Sequence, residues 1–400
     1  MRISEVQDRK SLLFVDDEPG VLDGLKRTLH PLREEWDFSF ANSGAEALDR
    51  LQRQPVDLVV SDLRMPRMDG IELLNTIKGR HPRIARFVLS GHADRFMVLR
   101  CAGPAHQFLI KPCETDHLVK AVRRAFSLRD LLQSHALLSF MENAPDLPAL
   151  PKIYETLMAA LQSPDSSMAH IATLIEGDAA MAGKLLHLVT SAFVGYIQTI
   201  QQAVSYLGAE AISAIALAAA LFEPYLGEKD AEFGVQGTYD HSVAVGATAG
   251  RWISQTLKDR QLAEEATMAG MTHDIGKLLL IRNRPDAWRE ALAWAAERNL
   301  PLPAAEREVA GVTHAEVGAY LLNRWGVADN IVEAVAYHHH PASCLGRDKN
   351  SLFAVHVANA LCHKWHEPGA RWRTLLDEGY LAAVDPRWSI EQFESAAGKS

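Results

Sequence analysis

Asp16 and Asp17 close the apolar run SLLFVDDEP, and Asp62 follows a second apolar run inside VDLVVSDLRMPRMDG, Val56 to Gly70. Three carboxylates at predicted strand ends are suited to holding a hard cation against an oxygen nucleophile. Mg2+ takes oxygen ligands in a strict octahedron and keeps several waters, so two or three carboxylates plus phosphate oxygens complete such a site. RFVLSGHAD then places Ser90 after another apolar run, and HQFLIKP places Lys111 before Pro112 after the next. A hydroxyl and an ammonium converging on that edge would grip a phosphoryl group. Each acid alone fits a solvated loop position equally well. Five residues in register at successive strand ends argue for a site.

A second constellation lies later in the chain. His241 stands in DHSVAVGATAG, His273 and Asp274 in GMTHDIGKLLL, and His314 in THAEVGAYLLNRWG, while His338, His339 and His340 precede Pro341. Imidazole and carboxylate together are transition-metal ligands. An adjacent His–Asp pair on a helix, joined by histidines from other helices, predicts a mono- or dinuclear centre. Lys277, one turn after the pair and on the same face, is placed to meet a phosphate. A single histidine on an apolar helix is more often a hydrogen-bonded core residue, and His340, His356 and His363 are read that way, as structural or surface residues.

The elements that must position these groups are of two kinds. LLFV, FSFA, DLVVS, RFVLS and QFLI are short apolar runs rich in β-branched and aromatic residues, separated by helical patterns such as GVLDGLKRTLHPL, GAEALDRLQRQ and GIELLNTIKGR. Strands alternating with helices predict an α/β doubly wound, parallel, five-stranded domain. Ligands of such sheets bind at the carboxyl ends of the strands, where Asp16, Asp62, Ser90 and Lys111 fall. After Pro112 the pattern turns helical. Asp116 to Asn143 reads as one helix running on as a connector, with an apolar stripe through Leu118, Val122, Phe126, Leu128, Leu131, Leu132, Leu137 and Leu138 that could pair with a second copy. Proline-rich Ala144 to Pro151 ends it. From Lys152 onward no alternating pattern survives, and an all-α domain is expected.

Composition narrows the function. Hydrophobic residues make up 48% of the 400, enough for two cores. The net charge of −9 lies wholly in the part after residue 140. An acidic output half excludes nucleic acid as its target, because phosphate binding needs clustered Lys and Arg. AISAIALAAALF, Ala211 to Phe222, is too short to span a membrane and reads as a buried helix. With no secretory signal and four cysteines lacking metal-like spacing, a cytoplasmic location is expected.

Residues 10–127 resemble the receiver domain of two-component response regulators, through the joint order of the motifs around Asp16, Asp17, Asp62, Ser90 and Lys111. The resemblance implies that Asp62 is the phospho-acceptor and that Asp16, Asp17 and Asp62 hold Mg2+ with the backbone carbonyl of Arg64. It further implies that Ser90 and Lys111 bind the phosphoryl oxygens, that Phe108 is the switch aromatic, and that the donor is a cognate sensor histidine kinase. Residues 145–365 resemble HDOD, an output domain related to the HD phosphohydrolases, through DLPALP, IATLIEGDAAMAGKLLHLVTSAF, IQTIQQAVSYLGAEAI, HDIGK and IVEAVAYHHHP. The connector would then be 128–144, and 366–400 a C-terminal helical extension. The HD resemblance makes His241, His273, Asp274, His314, His338 and His339 a second metal site for a divalent transition metal. The related cyclic-di-GMP phosphodiesterases carry Gly-Tyr-Pro after the His-His pair and a late Asp ligand. Here the chain reads HHHPASCLGRDKN and offers Asn359, and Thr190 replaces a common Asn. The expectation is therefore a largely non-catalytic module acting on a regulated partner protein, with metal bound weakly or not at all. The alternative is a metal-dependent phosphohydrolase under receiver control.

Overall fold

Five short, largely apolar runs form one parallel sheet. The strands are β1 (Lys10–Val15), β2 (Trp36–Ala41), β3 (Leu58–Ser61), β4 (Ala85–Ser90) and β5 (Gln107–Ile110), in the order β2-β1-β3-β4-β5. Helices α1 (Pro19–Leu29), α2 (Gly44–Arg53), α3 (Gly70–Arg80) and α4 (Thr115–Leu132) connect and flank it. The computed structural model describes residues 9–91, 105–163, 167–178, 181–183, 185–186, 198–225, 234–366 and 372–398. Thr190 lies outside them. The chain divides into two units, Met1–Ala125 and Phe126–Ser400.

In the first unit, the central strands β3 and β4 are buried along their whole length, as a sheet covered on both faces requires. The edge strands β2 and β5 keep exposed positions, which explains their more broken sequence pattern. Leu13, Val59, Leu73, Leu74, Ile77 and Val88 lie at the centre of the core. Ser43 caps α2 by accepting from the Glu46 amide at 3.3 Å, and Asp69 caps α3 by accepting from the Glu72 amide at 2.8 Å. The ladder continues one residue past three strands. The Asp16 amide donates to the Ala41 carbonyl, Asp62 to Val15 and Lys111 to Ser90. Those bonds set the residues after the strands on one edge of the sheet. Gly70 is needed there, because a Cβ would overlap the Asp62 carbonyl oxygen.

The second unit is helical, with no strand among the described residues. It begins with α5 (His135–Glu142), α6 (Lys152–Gln162), α7 (Met168–Glu176), α8 (Ile200–Leu207), α9 (Ala209–Phe222) and α10 (Val235–Thr256). It continues with α11 (Arg260–Thr272), α12 (Ile275–Asn283), α13 (Pro285–Arg298), α14 (Leu302–Ala310), α15 (His314–Arg324), α16 (Asp329–Tyr337), α17 (Ser351–His366), α18 (Glu378–Val384) and α19 (Ile390–Ala397). Among the described residues no helix is long and apolar enough to cross a membrane.

Two expectations change here. The connector is not one helix, since α4 ends at Leu132 and α5 starts at His135. Its apolar stripe is not left open for a second copy either. Leu128, Leu132, Leu137, Phe140 and Met141 are buried in the core of the helical unit. A stripe that could mate with another helix mates first with the apolar surface its own chain supplies. The C-terminal residues join the same core: Phe393 stacks on Trp252 with ring centroids 4.7 Å apart, and Arg251 donates to the Ala397 carbonyl at 2.8 Å.

A pH dependence follows from α11. Burial pushes the Glu265 carboxyl up to about 7 against the hydrogen bonds that Gln261 and Asn330 donate to it. The folded chain thus holds this proton more tightly than the unfolded chain, whose glutamates release it near 4.3. Stability from this group is present at acid pH and is lost as pH rises through about 7. Glu265→Gln should be more stable than wild type above pH 7, by roughly 2 kcal/mol given 1.36 kcal/mol per unit and partial exposure. Urea denaturation at several pH values checks it; an advantage that does not shrink toward pH 5 would contradict this origin.

Candidate functional site

At the sheet edge the loops after β1, β3 and β5 bring three charged groups together. Lys111 Nζ bridges Asp16 Oδ2 and Asp62 Oδ1, each at 2.6 Å. Asp16 is buried, and its other carboxylate oxygen accepts from the Glu18 amide at 3.0 Å. Asp62 Oδ2 accepts from the Arg64 amide at 2.6 Å. Burial pulls the Lys111 ammonium down, and the two carboxylates more than offset it, so its pKa stands above the ordinary lysine value. Asp17 is half-buried beside Asp16 in sequence, and Ser90 is buried at the end of β4. Phe108 pairs with Val88 in the ladder and packs, partly buried, against the core. A single cation between two carboxylates is what a site needs before a dianion arrives. The residues 92–104 that follow Ser90 lie outside the described part.

In the helical unit, the His273–Asp274 pair is not on a helix. It forms the corner between α11, which ends at Thr272, and α12, which begins at Ile275. Asp274 has non-helical backbone angles, φ −100 and ψ 5. That corner lets both side chains face inward, whereas successive residues of one helix would diverge by 100° or so. Gly276 then brings α12 against α15, where any Cβ would overlap the His314 carbonyl oxygen. Thr313 and Glu316 form a capping box at the start of α15, which fixes the turn that carries His314.

Two groups of ligand-type atoms result, each lying within 4.8 Å: Asp274, His314, His338 and His339, and His241, His273 and Asp274. Asp274 belongs to both. Its Oδ1 stands 3.2 Å from His314 Nε2, and its Oδ2 stands 3.3 Å from His273 Nε2 and accepts from Lys277 at 2.6 Å. His273 Nδ1 lies 2.6 Å from the Gly270 carbonyl, and His338 Nδ1 lies 2.7 Å from the Val335 carbonyl. Only a protonated Nδ1 can bond a carbonyl, so each ring directs Nε2 into the cluster. His339 Nε2 sits 3.0 Å from His314 Nε2. On the far side, His241 Nε2 bonds Asn359 Oδ1 at 2.8 Å, and the His363 ring lies 4.4 Å from His241.

Electrostatics separate these imidazoles. Burial and then the neighbouring rings hold His241, His338 and His339 well below the ordinary histidine value, so they are neutral, as metal ligands must be. Burial pushes His314 down, yet Glu306 and Asp274 raise it to about 9, so its Nε2 carries a proton that an ion would displace on binding. Burial raises Asp274, but His273 and Lys277 hold its carboxyl well below the usual carboxylate range.

The donor set fits a divalent transition ion on one observation. His273 Nε2, Asp274 Oδ1 and His338 Nε2 are buried with no hydrogen-bond partner among the described residues. A buried polar atom without a partner is costly, and each ligand group contains such atoms: His338 lies in the four-residue group, His273 in the three-residue group and Asp274 in both. The four-residue group offers four ligand-type atoms without drawing on the Asn359 position.

Sequence reasoning missed Glu306, which accepts from His314 Nδ1, while His363, read as structural or surface, lies beside His241 and belongs to neither ligand group. His356 is structural, as read: its Nδ1 bonds the His338 carbonyl at 2.7 Å and its Nε2 accepts from the Asp377 amide at 2.9 Å.

Comparison with known proteins follows the same division. The response regulator receiver domain model matches residues 12–123, and the HDOD domain model matches residues 147–341. The hydrogenase transcriptional regulatory protein HoxA of Cupriavidus necator is 37% identical over 123 residues, covering 30% of this chain and 25% of that protein. The chain thus spans about a quarter of that relative. An HDOD domain protein from Geobacter sulfurreducens shares the fold of the helical part, with a TM-score of 0.53 at 21% identity, over 69% of this chain and 93% of that one. The signal receiver domain of an HD domain-containing protein from Pseudomonas fluorescens Pf-5 is 32% identical over 30% of this chain and 97% of that one, with a TM-score of 0.29.

Proposed function

Because this chain belongs to the two-component response regulators, with a receiver domain ahead of an HDOD domain, we propose that it accepts a phosphoryl group on Asp62 and signals to partner proteins through the HDOD domain. The donor is a cognate sensor histidine kinase. The observation that carries the reading is the Lys111 bridge between Asp16 and Asp62 at the carboxyl edge of the sheet. Asp16, Asp17 and Asp62, with the Arg64 carbonyl, would hold Mg2+, which neutralises charge developing in the transfer. Asp62 is the nucleophile. Lys111 and Ser90 take the oxygens of the phosphoryl group once it is on Asp62. Lys111 then exchanges a carboxylate partner for a phosphoryl oxygen, and Ser90 follows. Phe108, two residues before Ile110 on the edge strand, repacks toward the core and changes the packing of α4.

Hydrogen exchange of the full chain, with and without a phosphoryl mimic and Mg2+, tests the route. Protection should change in β5 and along Thr115–Leu132. Unaltered exchange in that helix would refute it.

A second reading has its own support. The three unpartnered ligand atoms around Asp274 favour a resident divalent metal in the HDOD domain. Such an ion would activate water against a phosphoester, with Lys277 placed to meet the phosphate. The missing Gly-Tyr-Pro and the Asn359 contact to His241 favour the non-catalytic reading, in which the metal is structural.

A further inference from the structure

Of the three rings that direct Nε2 inward through Nδ1, two are held by backbone carbonyls and one by a carboxylate. His314 is the exception. Its Nδ1 lies 2.7 Å and 2.8 Å from the two oxygens of Glu306, and its own backbone amide donates to Glu306 Oε2 at 2.9 Å. Glu306 has no exposed surface, and the described structure gives it no lysine or arginine partner. It lies on α14, and the chain turns back after Gly311, at φ 74, to bring His314 beneath it. A buried carboxylate facing one imidazole and one amide has a specific geometric consequence. It fixes both the ring rotation and the nitrogen that carries the proton, and it enriches electron density at the opposite nitrogen.

We propose that Glu306 is a positioning residue, holding His314 with Nδ1 protonated and Nε2 presented as a ligand beside Asp274, His338 and His339. The proposal rests on the reading that the HDOD domain holds a divalent metal. Arg307 and Glu308, its neighbours on α14, are exposed, so the role belongs to residue 306 alone in that turn.

The test uses the full chain and zinc as the probe. Glu306→Gln keeps the shape but loses the charge and one acceptor oxygen. It should weaken zinc binding 10- to 100-fold, the usual effect of removing a carboxylate behind a ligand histidine. Glu308→Gln is the control. Glu308 stands exposed two residues along the same helix, and among the described residues no hydrogen bond links it to the His314 ring. That variant should leave zinc affinity within about twofold, whereas a mere loss of negative charge from α14 would weaken zinc alike in both variants. Nitrogen-15 spectra of the histidine rings give a readout that needs no metal. Wild type should show an exchange-protected proton on His314 Nδ1, and Glu306→Gln should lose its protection. Wild-type zinc affinity in Glu306→Gln, or a His314 Nδ1 without a protected proton, overturns the proposal. A wild-type chain that takes up no zinc overturns the metal reading instead, and the Nδ1 proton then decides alone whether Glu306 orients the ring.

Discussion

Asp62→Asn should incorporate no phosphoryl group from acetyl phosphate in the presence of Mg2+, under conditions in which wild type is labelled stoichiometrically. On the proposed reading the carboxylate oxygen would attack phosphorus, acetate would leave, and an acyl phosphate would form on Asp62. An amide at that position is neutral and lacks the nucleophilic oxygen pair. It would also leave Lys111 with one anionic partner, Asp16, in place of two. The fold should tolerate the change, because the Asp62 amide stays in its ladder bond to Val15 and the side-chain oxygen can still accept from Arg64. The loss should thus appear in labelling, read by intact mass, with an unchanged unfolding transition. Full labelling of the variant would remove Asp62 from the mechanism.

Asp274→Ala should strip divalent metal from the HDOD domain, lowering affinity at least 100-fold, the upper end of what losing a ligand's support alone does. Asp274 is the one residue shared by both ligand groups. Its removal takes a ligand from each and leaves Lys277 and the His314 ring without the carboxylate between them. Unpaired buried charge makes the variant less stable as well, by roughly 3 kcal/mol. Asp274→Asn separates the two effects, since it keeps the volume and loses the charge. Metal content after dialysis, measured on folded protein, is the readout. Retained metal in both variants would place the ion elsewhere. Metal-dependent hydrolysis of a phosphoester in wild type, lost in these variants, would make the hydrolase reading the correct one and displace the non-catalytic one.

The two halves were legible in the sequence to different depths, for a physical reason. A parallel sheet writes itself into short apolar runs, and its chemistry must follow at the strand ends. Asp16, Asp62, Ser90 and Lys111 were therefore readable by position alone, and the structure brings Asp16, Asp62 and Lys111 into contact. A helical domain has no such rule. Periodicity says that α10, α11, α15, α16 and α17 bury a face, but not which faces meet. The histidine types in order suggested a cluster. Only packing decided that His273 and Asp274 form a corner between two helices, that His363 stands beside His241, and that the connector stripe is consumed by its own chain. Glu306 shows the limit most clearly. It sits in the run Glu306, Arg307, Glu308, three charges that look alike on a surface helix, and a turn after Gly311 is what buries the first of them against His314. Local residue pattern determined the strands, their order of chemistry and the all-α second half. Which buried carboxylate faces which imidazole was decided by contacts between residues far apart on the helices, and those exist only once the chain has folded.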